Sequence, residues 1–179
     1  MKKLSISLFL TLALAISMIF STTAFAEVVE LNGDDTQIVN VKLTNEDGAV
    51  TLVQVDKTKD ASINADILGM VFGQFGELKD TMTSFKVDGK VKISGKFESD
   101  GQVFYPSLNS LFYYPTALET VDLTGLDTSD VGDMGSLFNN CENLKSVNLT
   151  GLDTSNVTKM NYMFEQCRLL TELDLSSFN

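Results

Sequence analysis

The chain has 179 residues, 13 basic and 24 acidic side chains, a formal charge of −11, no histidine and no tryptophan. Without histidine there can be no Ser-His-Asp triad, Cys-His pair or HExxH zinc site, so catalysis would fall to carboxylates, Lys, Tyr or Cys. So acidic a surface repels nucleic acid and anionic membranes, while 44% hydrophobic residues in alternating patterns argue against disorder.

Residues 1–26 read as a secretory signal peptide. Lys2 and Lys3 precede an uncharged stretch, residues 4–20, and "STTAFA" ends with Ala24 and Ala26 at A-x-A positions. Cleavage after Ala26 is expected to leave Glu27 as the N-terminus, with no membrane insertion afterwards. The alternative is an uncleaved anchor, since the apolar stretch is near the lower limit for a span. Residues 27–179 keep 11 basic and 24 acidic side chains, a formal charge of −13.

Residues 27–104 read as a small β-rich N-terminal or capping domain. "TQIVNVKLT" and "AVTLVQV" flank a Gly-containing turn, a hairpin pattern. "FKV" and "KVKI" flank Asp-Gly, which suits a two-residue hairpin turn, and "ESDGQVF" can return a third strand. Between the hairpins, "SINADILGMVFGQFGEL" suggests a helix starting near Ser62, weakened by its glycines. The stretch 103–115 is aromatic. Phe104 and Phe112 suit packing at a junction, whereas Tyr105, Tyr113 and Tyr114 are candidate contacts for sugar or peptide.

From residue 105 the chain repeats. "LTGLDTSDV" at 123–131 returns as "LTGLDTSNV" at 149–157, 26 residues later. The units are 118–143 and 144–169, with a third begun at Leu170. Leu118, Leu144 and Leu170 share a column. So do Val121, Val147 and Leu173; Leu123, Leu149 and Leu175; and Leu126, Leu152 and Phe178. Phe112 lies 26 before Phe138, which lies 26 before Phe164. Such a period signals stacked units, each unable to bury its apolar face alone. Alternation in "SVNLT" predicts a short strand. Val131, Met134, Leu137, Phe138 and Cys141, and Val157, Met160, Met163, Phe164 and Cys167, lie on one arc of a helical wheel and predict a helical segment. "LDTSN" between them suits helix capping through short side-chain oxygens; the alternative is a calcium ladder of stacked aspartates. The expected fold is therefore an α/β repeat.

Cys141 and Cys167 are also 26 apart. Strand spacing of ~4.8 Å puts equivalent Cα atoms within the roughly 4.4–6.8 Å of a disulfide. Their side chains would nonetheless point in parallel into the core, where Cys acts as a small hydrophobe. A reduced pair is expected despite an oxidising location.

The run "LKSVNLTGLDTSNVTKMNYMFEQCRLLTELDLSSFN" resembles the BspA-like leucine-rich-repeat surface proteins of bacteria and the Mycoplasma-type surface lipoprotein repeats. The resemblance covers about residues 110–179. It implies a leucine-rich-repeat-like solenoid, secreted or at the cell surface, that serves adhesion and recognition and is not an enzyme. No catalytic, cofactor or metal residues are expected. The partner would be an extracellular protein or glycan, not nucleic acid. Outward strand positions form the candidate surface: Thr120, Ser146 and Glu172 in one column, Asp122, Asn148 and Asp174 in the next. A carboxylate-based extracellular glycan hydrolase and a spacer presenting the N-terminal domain are the rival readings. The third unit contains a strand but no segment to close it, so the chain reads as a fragment of a longer solenoid, open to end-to-end association.

Overall fold

The structure is a computed structural model describing residues 40–73 and 80–179. The expected signal sequence and its cleavage position lie outside these residues. Strands β1 (Val41–Glu46) and β2 (Ala49–Gln54) form the first expected hairpin. Its turn is Asp47–Gly48, both at positive φ, 50° and 87°, the geometry that matches strand twist. Alternation buries Val41, Leu43, Val50 and Leu52.

Strand β3 (Ser62–Asn64) leads into helix α1 (Ala65–Gly73). The helix starts after Asn64, not near Ser62, because Ser62–Asn64 pairs as a strand. Asn64 Oδ1 then accepts the amides of Asp66 (2.8 Å) and Ile67 (3.4 Å), an N-cap. Leu68 and Phe72 face the core.

The second expected hairpin does not form. Strand β4 (Ser84–Asp88) pairs parallel with β2, and β5 (Val91–Ser94) pairs parallel with β3, in a different sheet. Asp88-Gly89 is a corner between two sheets rather than a reversal. Buried Gln54 fixes it: its Oε1 accepts the Lys90 amide (2.8 Å) and its Nε2 donates to the Lys59 carbonyl (2.7 Å). "ESDGQVF" makes a hairpin of its own, β6 (Phe97–Ser99) with β7 (Gln102–Phe104), outside both larger sheets.

Three short strands complete the sheets: β8 (Thr120–Asp122), β9 (Leu126–Asp127) and β10 (Ser146–Asn148). One sheet runs β1-β2-β4-β8-β10, parallel from β2 onward; the other, β3-β5-β9, is parallel throughout. Ser84 pairs with Thr120, 36 positions on, and Thr120 with Ser146, 26 on. The longer coil carries the β6–β7 hairpin as an insertion between Lys92 and Ser107. Residues 40–104 share one hydrophobic core with the residues that follow. Their strands continue into the repeat, and Phe72 and Phe85 pack on Phe112 at ring-centroid distances of 5.4 and 5.3 Å.

The helical segments expected in the repeat are absent. Residues 131–141 and 157–167 are successive turns laid side by side. The amides of Met134, Ser136, Phe138 and Asn140 donate to the carbonyls of Lys159, Asn161, Met163 and Glu165 in the next coil, at 2.8–2.9 Å. Those of Leu137, Asn139 and Cys141 donate three residues back, to Met134, Ser136 and Phe138. Alternate amides thus serve the turn and the neighbouring coil, leaving none for an i→i−4 ladder. Left-handed residues recur with the period: Ser110, Ser136 and Tyr162, then Tyr114, Asn140 and Gln166. The wheel arc still marks the core, since Val131, Met134, Leu137, Phe138 and Cys141 are all buried.

The third unit departs from expectation too. Leu173 and Leu175 are exposed and pair with no strand among the described residues. Residues 177–179 are instead tied by Ser177 Oγ donating to the Leu149 carbonyl (3.2 Å) and the Asn179 amide donating to Thr154 Oγ1 (2.8 Å). No helix among the described residues is long and apolar enough to cross a membrane.

Candidate binding surface

Parallel in-register pairing sets the outward side chains of the five-stranded sheet in rows. Ser84, Thr120 and Ser146 form one, and Lys86, Asp122 and Asn148 the next. All but half-buried Ser84 are exposed. Sequence reasoning missed Ser84 and Lys86, because they precede the repeat and no 26-residue period marks them. Glu172 and Asp174 are exposed but stand outside the ladder.

One of the two columns has a structural duty that alternation did not reveal. Asp122 Oδ1 accepts the Thr124 amide (3.0 Å), Asn148 Oδ1 the Thr150 amide (3.1 Å) and Asp174 Oδ1 the Ser176 amide (2.8 Å). Each closes an Asx-turn, those of Asp122 and Asn148 at the ends of their strands. The side-chain and backbone hydrogen bonds from Ser176 hold the Asp174 carboxyl below its ordinary value.

The tyrosines lie elsewhere. Tyr113 and Tyr114 are exposed on the turn ladder, their ring centroids 5.9 Å apart. Tyr105 is exposed beneath Lys96, whose Nζ sits 5.1 Å from the ring centroid. The nine candidate residues therefore do not converge on one patch.

The "LDTS" phrase caps turns rather than helices. Asp127 and Asp153 accept the amides of Ser129 (3.0 Å) and Ser155 (2.9 Å). Thr128 is fully buried between coils, its Oγ1 donating to the Asp153 carbonyl (2.8 Å) and accepting the Asp153 amide (3.0 Å). Among the described residues no group of three or more Cys, Asp or Glu side chains is placed to hold a metal ion. Both cysteines are free thiols; Sγ of Cys141 and Cys167 donates to the carbonyls of Phe112 (3.0 Å) and Phe138 (3.1 Å). Hydrogen bonding to the Cys167 sulfur, then burial, pushes the Cys141 thiol far above its ordinary value.

Asp130 is clamped by two lysines from the preceding coil, Lys92 (2.6 Å) and Lys96 (2.9 Å). Hydrogen bonds from Lys92 and then Lys96 hold its carboxyl below the ordinary range, and Asp130 in turn raises Lys92. A depressed carboxyl stabilises the fold above its unfolded pKa of ~3.9 and loses that contribution as pH falls through its folded value. Asp130→Asn is therefore expected to destabilise by about 0.5–1 kcal/mol at pH 7, a small figure because both lysines are substantially exposed. The gap from the parent should close as pH falls below about 4. Urea unfolding at a series of pH values checks this, and a gap that stays constant into acid refutes it.

Residues 106–179 match a family model described as "Mycoplasma protein of unknown function, DUF285". The match spans the repeated coils and the aromatic stretch before them from Pro106 onward. It is compatible with a Mycoplasma-type surface repeat family. No curated protein and no solved structure matches the chain.

Proposed function

We propose that this chain is a secreted or cell-surface binding protein without enzymatic activity, and that its coils are a short solenoid of the BspA-like leucine-rich-repeat kind. It would bind an extracellular protein or glycan through the outer face of the parallel sheet. The observation that carries this reading is the pair of in-register rows, Ser84–Thr120–Ser146 and Lys86–Asp122–Asn148. Packing leaves Thr120, Ser146 and Lys86 exposed, and stacking aligns the rows on one surface, where a repeat protein can carry specificity. The rows carry three hydroxyls, with Lys86 balancing Asp122, a character that suits a hydroxyl-rich partner. Export rests on the residue pattern of 1–26.

The test is capture of a partner by the mature protein, followed by Thr120→Lys with Ser146→Lys. These two positions make no turn, so the fold should survive their change. Affinity is expected to fall about tenfold or more, mainly through faster dissociation. A companion variant, Asp122→Asn, keeps the turn acceptor and removes only charge. Unchanged affinity in both, with melting unaltered, eliminates this face and moves attention to Tyr113 and Tyr114.

A further inference from the structure

Each coil turns a corner between the two sheets, and the stacked corners enclose an open groove of about 1260 Å³. The repeated Thr-Gly of the sequence lines it twice, as Thr124–Gly125 and Thr150–Gly151, and Gly89 holds the corresponding corner of the coil before. Glycine at these corners lets them stack closely: a Cβ on Gly89 would meet the Gln54 side chain, and one on Gly125 the Gly89 carbonyl.

One stretch of the groove gathers lysines. Lys57, Lys59, Lys90 and Lys92 line it, against two carboxylates, Asp60 and Asp127. These are four of only 11 basic side chains in residues 27–179. Three of the lysines rest on acids at the rim: Lys57 on Asp88 (3.0 Å), Lys59 on Asp56 (3.3 Å) and Lys92 on Asp130 (2.6 Å). Such exposed pairs hold by only about 0–1 kcal/mol, so an incoming anion can take the place of the rim acid. Lys90 is exposed and forms no ion pair among the described residues.

We propose that this groove binds a carboxylated linear polysaccharide. Corners recurring at a coil spacing of ~4.8 Å offer the same Thr-Gly unit at regular steps, which suits a polymer more than a compact ligand. The lysines attract the carboxylates of such a chain. The Thr150 hydroxyl and the Asp60 and Asp127 carboxylates offer donors and acceptors for sugar hydroxyls. Single-stranded DNA fits less well, since it offers few hydroxyls to the Thr150, Asp60 and Asp127 side chains. The site shares no residue with the strand-face rows, and it stands or falls independently of them.

The test measures binding of the mature protein to polygalacturonate oligomers, to their methyl-esterified form and to single-stranded DNA of equal length, at low and high salt. The acid form is expected to bind, to weaken with salt, and to exceed both the ester and the DNA by about tenfold or more. Lys90→Glu should weaken acid-form binding about tenfold, with melting unchanged, while Thr120→Lys with Ser146→Lys should leave it as it was. No binding of the acid form, equal binding of the ester, tighter binding of DNA, or an inert Lys90→Glu each overturns the proposal. Loss in the strand-face variant alone would transfer the glycan to that face.

Discussion

Replacing Phe138 by Ala is expected to lower the unfolding free energy by about 3–5 kcal/mol, the range for deleting a buried aromatic ring. Phe138 is fully buried at the centre of a column of three rings. Its centroid lies 5.3 Å from Phe112, with planes 3° apart, and 5.3 Å from Phe164, with planes 15° apart. Both neighbours lose a contact face when the ring goes, and stacked coils hold mainly through such nearest-neighbour contacts. Phe164 stands in the same column but is only partly buried, so Phe164→Ala should cost clearly less. Urea unfolding of the two variants decides the matter. A loss below about 1 kcal/mol at 138, or equal losses at both positions, would mean that the column is not a principal source of cohesion.

The column itself was legible in the sequence, because 26-residue spacing and apolar identity are local facts. The same holds for the buried positions Val121, Leu123, Leu126, Met134 and Cys141, and for the turn at Asp47–Gly48. What the pattern could not give was the backbone between those positions. Val131, Met134, Leu137, Phe138 and Cys141 have the spacing of a helix face and of successive turns alike. The choice is made by amides that reach another coil, such as Phe138 to Met163, and a local window cannot see that partner. Asp88-Gly89 misled for a similar reason. Its local signature is a hairpin turn, yet β4 and β5 each find a parallel strand already in place, β2 and β3.

The candidate surface was partly legible on the same terms. Alternation identified Thr120, Asp122, Ser146 and Asn148 as outward, and the ladder brings them into rows. It did not reveal that Asp122 and Asn148 each commit an oxygen to a turn. It also could not supply Lys86, or the groove lysines at 57, 59, 90 and 92, whose coils differ too much in length to show a period. Their convergence is a product of stacking alone.

Stacking at the corners can be tested at one atom. Gly125 and Gly151 occupy the same place in consecutive units, yet their surroundings differ. A Cβ on Gly125 would fall far inside van der Waals contact of the Gly89 carbonyl oxygen and 3.1 Å from Val87 Cγ1. The first obstacle is backbone, so relief requires the two corners to move apart. A Cβ on Gly151 meets nothing within 4 Å, but its φ of +84° disfavours any other residue. Gly125→Ala is thus expected to cost about 3 kcal/mol or more, at the upper end for overpacking. Gly151→Ala should cost about 1–2 kcal/mol, the conformational penalty alone. The Gly125 carbonyl also accepts the Val91 amide (2.9 Å), a bond that joins β5 to the coil of β9. Prying the corners apart should loosen that bond, so the Val91 amide should exchange with solvent faster in Gly125→Ala and keep its parent rate in Gly151→Ala. Equal stability losses with unchanged Val91 exchange would show that the corners tolerate separation, and that the groove floor is not held by the contact between Gly89 and Gly125.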